Sequence, residues 1–208
     1  MSANIAVIYS GAGLSGVAQA IAGAAQSLSA RVRVLRVPEG QGPTDHREAT
    51  TGDLEWADGI AFGTPFDADG PSPELMRFLE QTEPLGQGDK LYDKVITTFT
   101  DEPERFAPNV VVHPIWDLLY QWGAVIVGPR AFELALDAHD RGGDTGGEPG
   151  GASLDAPGGV PNDDPGDHSG EDAMPGPRLR TARYRGRRLA TLASLMAAER
   201  ARRLRLEL

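Results

Sequence analysis

Short strand-like runs at residues 4–9, 31–37, 58–64, 94–100 and 124–128, most of them rich in Val and Ile, alternate with segments of helical period at 14–28, 72–82 and 109–123. Few architectures accept that order. Strands that are apolar on nearly every residue must be covered on both faces, and helices that follow each strand supply the cover. Val17, Ile21, Ala25 and Leu28 fall on one face of the first helical segment, and Pro73 suits a first helical turn. The expectation is α/β: an open, five-stranded parallel sheet with helices on both sides. Such sheets bind ligands beyond the carboxyl ends of their strands, where the strand order reverses. The loops at 10–16, 64–71 and 100–108 are therefore the places to look for a site.

Composition accounts for what lies outside this pattern. The 208 residues include 26 Gly and 16 Pro, with a net charge of −10. Counted by segment, residues 1–136 carry −9, 137–178 carry −8 and 179–208 carry +7. The middle segment has 11 Gly, 6 Pro and 8 Asp, with Leu154, Val160 and Met174 as its only large apolar side chains. So little apolar surface does not offset chain entropy, and 137–178 reads as a flexible insertion in a single domain spanning 1–208. From Leu179 onward, Ala182, Gly186, Leu189, Ala190, Ala193 and Met196 recur at helical spacing between arginines. That pattern predicts a terminal helix, 179–208, returning to the core.

The same numbers exclude several function classes. An excess of acidic groups repels a polyphosphate backbone, so nucleic acid is not the expected partner, and the acidic tract is a nearer counter-charge for the terminal arginines. No apolar run is long enough to span a membrane, and no basic region precedes the first strand. The chain has no cysteine, which removes disulfides, thiolate metal sites and thiol catalysis. The expected compartment is the cytoplasm.

Residues Gly11-Ala12-Gly13-Leu14-Ser15-Gly16 match G-x-G-x-x-G directly after a strand and at the opening of a helix. Three readings are open. In a dinucleotide fold the amides hold a pyrophosphate and Glu39, past the second strand, takes the ribose hydroxyls. Read from Ser10 to Ser15, the same loop has hydroxyls at both ends and suits a single terminal phosphate. The third reading is a glycine-rich turn without a ligand.

The blocks that follow are more specific. They are Leu54-Glu55-Trp56-Ala57-Asp58-Gly59-Ile60-Ala61-Phe62-Gly63-Thr64-Pro65, then Phe78-Leu79-Glu80-Gln81-Thr82, then Gly88-Asp89-Lys90-Leu91-Tyr92-Asp93-Lys94-Val95. With Ala182-Arg183-Tyr184-Arg185-Gly186 near the end, they resemble the flavodoxin-like NAD(P)H:quinone oxidoreductases of the tryptophan-repressor-binding-protein (WrbA) type. The resemblance implies a flavodoxin-like three-layer sandwich of strand order 2-1-3-4-5, FMN as cofactor, NAD(P)H as electron donor and a quinone or similar acceptor. It implies no catalytic side chain, since the flavin carries the chemistry.

Carried over to this chain, the family's phosphate loop falls on Ser10, Gly11, Ala12, Gly13, Leu14 and Ser15, with Ala12 where such loops often have Thr. Thr64 and Pro65 match the end of its third strand. Beyond them the chain departs. Phe66-Asp67-Ala68-Asp69-Gly70 replaces a Thr-Arg-Phe-Gly-Asn stretch that lies along the flavin ring. Phe66 is the residue there suited to stacking on the ring. Thr100-Asp101-Glu102-Pro103-Glu104-Arg105-Phe106 replaces a Ser/Thr-rich segment ending in His-Gly-Gly, which leaves Thr100 and Asp101 as the third loop's ligands. Asp67, Asp69, Asp101, Glu102 and Glu104 together would set up to five carboxylates around an anionic cofactor. The alternative is therefore a flavodoxin-like scaffold that has lost FMN and acts as a binding or regulatory module.

Other clusters carry less. Asp67-Ala68-Asp69-Gly70 imitates the opening of a calcium loop without its closing ligands, and no metal is expected. His46, His113, His139 and His168 have no partner in sequence for a catalytic triad. A homo-oligomer is compatible with the Trp56, Trp116 and Trp122 content. If residues 140–174 bury little, replacing them with a short Gly/Ser linker changes closure entropy only modestly. The shortened protein should melt cooperatively within a few degrees of the full chain, as scanning calorimetry would show. Loss of the cooperative transition would make the tract structural.

Overall fold

The computed structural model describes residues 2–38, 46–65, 70–88, 90–101, 108–128 and 176–206. Of the expected insertion, only residues 176–178 fall inside that set. Strands β1 (Asn4–Tyr9), β2 (Arg31–Arg36), β3 (Gly59–Gly63), β4 (Val95–Phe99) and β5 (Val125–Ile126) form one parallel sheet in the order β2-β1-β3-β4-β5. The helices are α1 (Ser15–Gln26), preceded by a 3-10 turn at Ala12–Leu14, α2 (Thr51–Trp56), α3 (Pro73–Glu80), α4 (Glu83–Gln87), α5 (Pro108–Gln121) and α6 (Pro177–Leu206). This is the expected flavodoxin-like topology. It places β3 on the side of β1 away from β2, so the order reverses between β1 and β3.

The pleat sorts the side chains. Ile5, Val7 and Tyr9 of β1 point into one core with Leu14, Val17, Ile21 and Ala25, together with Ala182, Leu189, Ala190 and Ala193 of α6. Ala6 and Ile8 point into the other, with Leu54, Leu75, Phe78, Leu79, Ile115, Leu119 and Trp122. Period-2 alternation along β1 thus sends alternate residues to different helix layers, each fully buried large side chain contributing about 1.5–3 kcal/mol.

The terminal helix packs on α1 through Gly186. A Cβ built there would lie 2.1 Å from the Ile21 carbonyl oxygen, so only glycine admits this approach. Two expected boundaries shift. Helix α6 begins at Pro177, whose missing N–H costs nothing in a first turn. Strand β5 is two residues long where 124–128 was expected. Its ladder runs from Val125 N–H to Lys94 C=O and from Val127 N–H to Ile96 C=O. Residue 129 is a proline, which has no amide hydrogen. The Thr98 carbonyl accepts from the guanidinium of Arg185, a buried side chain of α6.

Helix α2 was not anticipated, because six residues hold too little periodicity to read. A capping box makes it: the Thr50 hydroxyl and amide meet Asp53 Oδ2 at 2.8 and 3.0 Å. Asp53 is 2% exposed and also accepts from Arg33 at 2.8 Å and Arg47 at 2.6 Å. Arg33 lies 3.8 Å over the Trp56 ring. Burial alone would push the Asp53 carboxyl up, but hydrogen bonds from Arg47, Thr50 and Arg33 outweigh it and hold the pKa at about 2, against an ordinary 3.8.

Lys94 is a second buried charge beside α2. Its Nζ donates to the carbonyls of Glu55, at 2.9 Å, and Ala57, at the C-terminal end of α2. Burial, with Arg200 nearby, lowers its pKa to about 8, while Asp58 and Glu55 pull the other way.

Two outcomes follow. Gly186→Ala should cost at least about 2 kcal/mol, because the added methyl meets α1 backbone rather than a movable side chain, whereas Gly16→Ala meets nothing within 4 Å and should not lower the urea midpoint. The Asp53 contribution is complete above its unfolded pKa and is lost as pH falls through about 2. Asp53→Asn should lower stability at pH 6 by roughly 2 kcal/mol and flatten the decline that urea titrations record for the parent between pH 5 and 2. A variant that declines as steeply as the parent would remove Asp53 from the acid response.

Candidate functional site

Beyond the carboxyl ends of β1 and β3, the loops that leave these two strands are tied to each other. Ser10 is 1% exposed; its amide donates to the Gly63 carbonyl at 3.1 Å and its hydroxyl takes a 2.6 Å hydrogen bond from Ser72 Oγ. Ser72 is the N-cap of α3, accepting from Leu75 N–H at 3.3 Å, and its own amide donates to Thr64 Oγ1 at 2.8 Å. Thr64 is fully buried, and its amide donates to Phe99 C=O at 3.1 Å, extending the ladder toward β4. Three hydroxyls therefore fix the spacing of the β1 and β3 loops. Gly11 has φ +78°, and a Cβ on it would stand 2.9 Å from Pro65 Cγ. Both the backbone conformation and the contact call for glycine.

Past Gly11 the chain turns into the helix. The turn's own hydrogen bonds begin with Leu14 N–H on the Gly11 carbonyl, at 3.4 Å, and Ser15 N–H on the Ala12 carbonyl. The amides of Ala12 and Gly13 have no acceptor inside the turn. Both residues are exposed, while Leu14 is fully buried and anchors the turn in the core. Two donors at the start of α1, with the positive end of the helix behind them and the partly exposed Ser15 one turn on, are a donor set for an anion.

Two charged side chains approach this loop from elsewhere in the chain. Asp101, just past β4, places Oδ2 3.9 Å from the position of a Cβ on Gly13. Arg178, in the first turn of α6, donates from Nη2 to the Gly13 carbonyl at 3.1 Å. Thr100 is buried beside Asp101 at the end of β4.

The residues expected from sequence thus separate. Ser10, Gly11, Thr64 and Pro65 converge and build the frame. Ala12, Gly13 and Ser15 present the donors, and Asp101 comes within reach of them. Phe66, with Asp67, Asp69, Glu102 and Glu104, lies outside the described residues, as does Glu39 of the dinucleotide reading. Strand order argues against that reading in any case, since a dinucleotide fold has order 3-2-1-4-5-6 and this sheet has β3 beside β1. Sequence reasoning missed Ser72 and Arg178. A serine directly before Pro73 carries an N-cap signal that would have found the first. The second joins residues 165 apart and has no local signal.

His113 is exposed on α5, its ring 5.3 Å from that of Trp116, whose indole donates to Thr98 Oγ1 at 3.1 Å. Among the described residues no helix is long and apolar enough to cross a membrane.

Comparison with known proteins agrees with this geometry. No family model matches the chain. An NAD(P)H dehydrogenase (quinone) from Paracoccus denitrificans is 31% identical over 200 residues, covering 89% of this chain and 90% of that protein. A protein of the same name from Deinococcus radiodurans is 28% identical over 141 residues, 59% of this chain and 70% of its own length. Among solved structures, a WrbA-like flavodoxin protein from Agrobacterium tumefaciens superposes with TM-score 0.56 at 21% identity, covering 94% of this chain and 99% of its own. An archaeal flavodoxin gives 0.51 at 12% identity, covering 92% and 99%.

Proposed function

The chain belongs to the NAD(P)H dehydrogenase (quinone) family, and on that premise we propose that it is an FMN enzyme of flavodoxin-like fold that oxidises NAD(P)H and reduces a quinone. The chemistry that FMN supplies when bound is two-electron transfer from reduced nicotinamide to the acceptor. The residues present fit the phosphate end of that cofactor: the donor set is made of amide hydrogens and a hydroxyl at a helix start. The observation that carries the reading is the pair of amides at Ala12 and Gly13 left without acceptors in their own turn at the β1/β3 switch point.

In this reading each residue of the loop has a distinct task. Ala12 and Gly13 bind the phosphate through N–H groups and Ser15 through its hydroxyl. Gly11 lets the loop pass close to Pro65, and Ser10, Ser72 and Thr64 hold the loop in place without themselves facing the ligand. Leu14 serves through burial alone. Phe66 and Thr100 are assigned to the ring end of the cofactor, and Asp101 stands at the phosphate end beside Gly13. NAD(P)H as donor, a cytoplasmic location where reduced nicotinamide is made, and association with further copies of the chain belong to the same proposal.

One observation favours the second reading, a scaffold without FMN: the Asp101 carboxylate stands on the side of the loop that an anion would approach. Flavin binding separates the two. Protein purified without added flavin should show visible flavin absorbance or take up FMN on titration, and should then support quinone-dependent NAD(P)H oxidation. Gly13→Asp sets a fixed negative charge against the phosphate beside Asp101 and should weaken FMN by at least about tenfold, roughly 1.4 kcal/mol. A colourless protein that neither binds FMN nor is stabilised by it would establish the scaffold reading instead.

A further inference from the structure

Arg178 does something at the phosphate loop that the amides cannot. The segment from Ser10 to Ser15 contains no charged side chain. The protein as a whole carries −10, and a carboxylate stands 3.9 Å from the Cβ position of Gly13. A phosphate dianion arriving there meets repulsion at long range and at short range, offset by amide dipoles worth only partial charges. Arg178 brings a full positive charge onto the residue whose amide is one of the donors. Its Nη2 is on the Gly13 carbonyl at 3.1 Å, and the side chain is otherwise exposed. A guanidinium has five N–H donors in a planar fork, and the carbonyl takes one. The rest remain for an oxyanion seated on the neighbouring amides, where a charge-assisted pair is stronger than a neutral one.

We propose that Arg178 is the phosphate-selecting residue of this site, a cation lent by the last helix that makes the loop prefer a phosphorylated flavin over the unphosphorylated one. The inference rests on the reading of the loop as an FMN site and goes beyond it in naming the source of discrimination. It also gives the start of α6 a task besides covering the sheet: the helix that closes the fold completes the site.

The test is a fluorescence titration of the purified full-length protein with FMN and, separately, with riboflavin, which shares the ring and lacks the phosphate. Arg178→Gln should weaken FMN by about threefold to tenfold and leave riboflavin unchanged, while Arg178→Lys should recover most of the FMN affinity through its charge. Raising salt should shrink the difference between the parent and Arg178→Gln. Equal loss of both flavins in Arg178→Gln would mean that Arg178 acts only by seating the helix, and no loss of either would mean that it does not reach the phosphate. Each result overturns the proposal while the FMN reading stands. Parent protein that binds neither flavin would overturn both.

Discussion

The approach of α6 to α1 at Gly186 underlies most of what this chain achieves. With a side chain there, the helix would have to stand off by the width of a methyl group or more, since the obstacle is the Ile21 carbonyl of a regular helix and not a rotatable group. Three consequences depend on that contact. Ala182, Leu189, Ala190 and Ala193 close one face of the sheet with small side chains that would leave voids at a larger separation. Arg185 is carried deep enough to donate to the Thr98 carbonyl. Arg200 meets Asp58 at 2.8 Å, beyond the opposite end of β3 from the site. One glycine sets the depth at which two arginines work.

At the other end of the strands the constraint is different. Parallel sheets leave a crevice wherever neighbouring strands send their chains to opposite faces, and here β1 leads to α1 while β3 leads to α3. A crevice is useful only if its walls are held. Ser72 does this with one side chain, capping α3, bonding Ser10 and presenting its amide to Thr64. Buried hydroxyls in such a chain are all satisfied by one another or by backbone, so the frame is rigid without any charge in it. Among the described residues charge enters at the rim, as Asp101 near the Cβ position of Gly13 and Arg178 on its carbonyl.

The parts of this architecture that were legible in the sequence are those built from local pattern. Buried parallel strands leave short runs of apolar and β-branched residues, and the turn from β1 into α1 leaves glycines at fixed offsets, so β1, β3, β4, α1 and the loop of residues 10–15 could be placed before any coordinates. Where a tertiary partner decides the outcome, the reading stopped short. The Thr98 carbonyl is served by Arg185, 87 positions on in the chain. Helix α2 exists because Asp53 satisfies Thr50 and two arginines at once. Ser72 and Arg178 complete the site from helices whose own periodicity says nothing about loops elsewhere.

The terminal arginines show how a charge count acquires meaning only from placement. A segment of +7 following one of −8 invites a reading in which neighbouring tracts neutralise each other. In the fold, described arginines of α6 are spent individually on other targets: a loop carbonyl at Gly13, a strand carbonyl at Thr98, and carboxylates at Asp58 and Asp93. Two of the four partners are uncharged oxygens, where a guanidinium contributes hydrogen bonds that survive screening better than a surface ion pair does. Arginine suits this task because it stays charged and its planar donors can be divided between acceptors. A lysine-rich helix of equal charge would satisfy the same count, but with compact point charges in place of planar forks. Thus the basic segment is best understood as a set of tertiary donors distributed along one helix, with the donor at its first turn available to a ligand because the helix starts beside the loop.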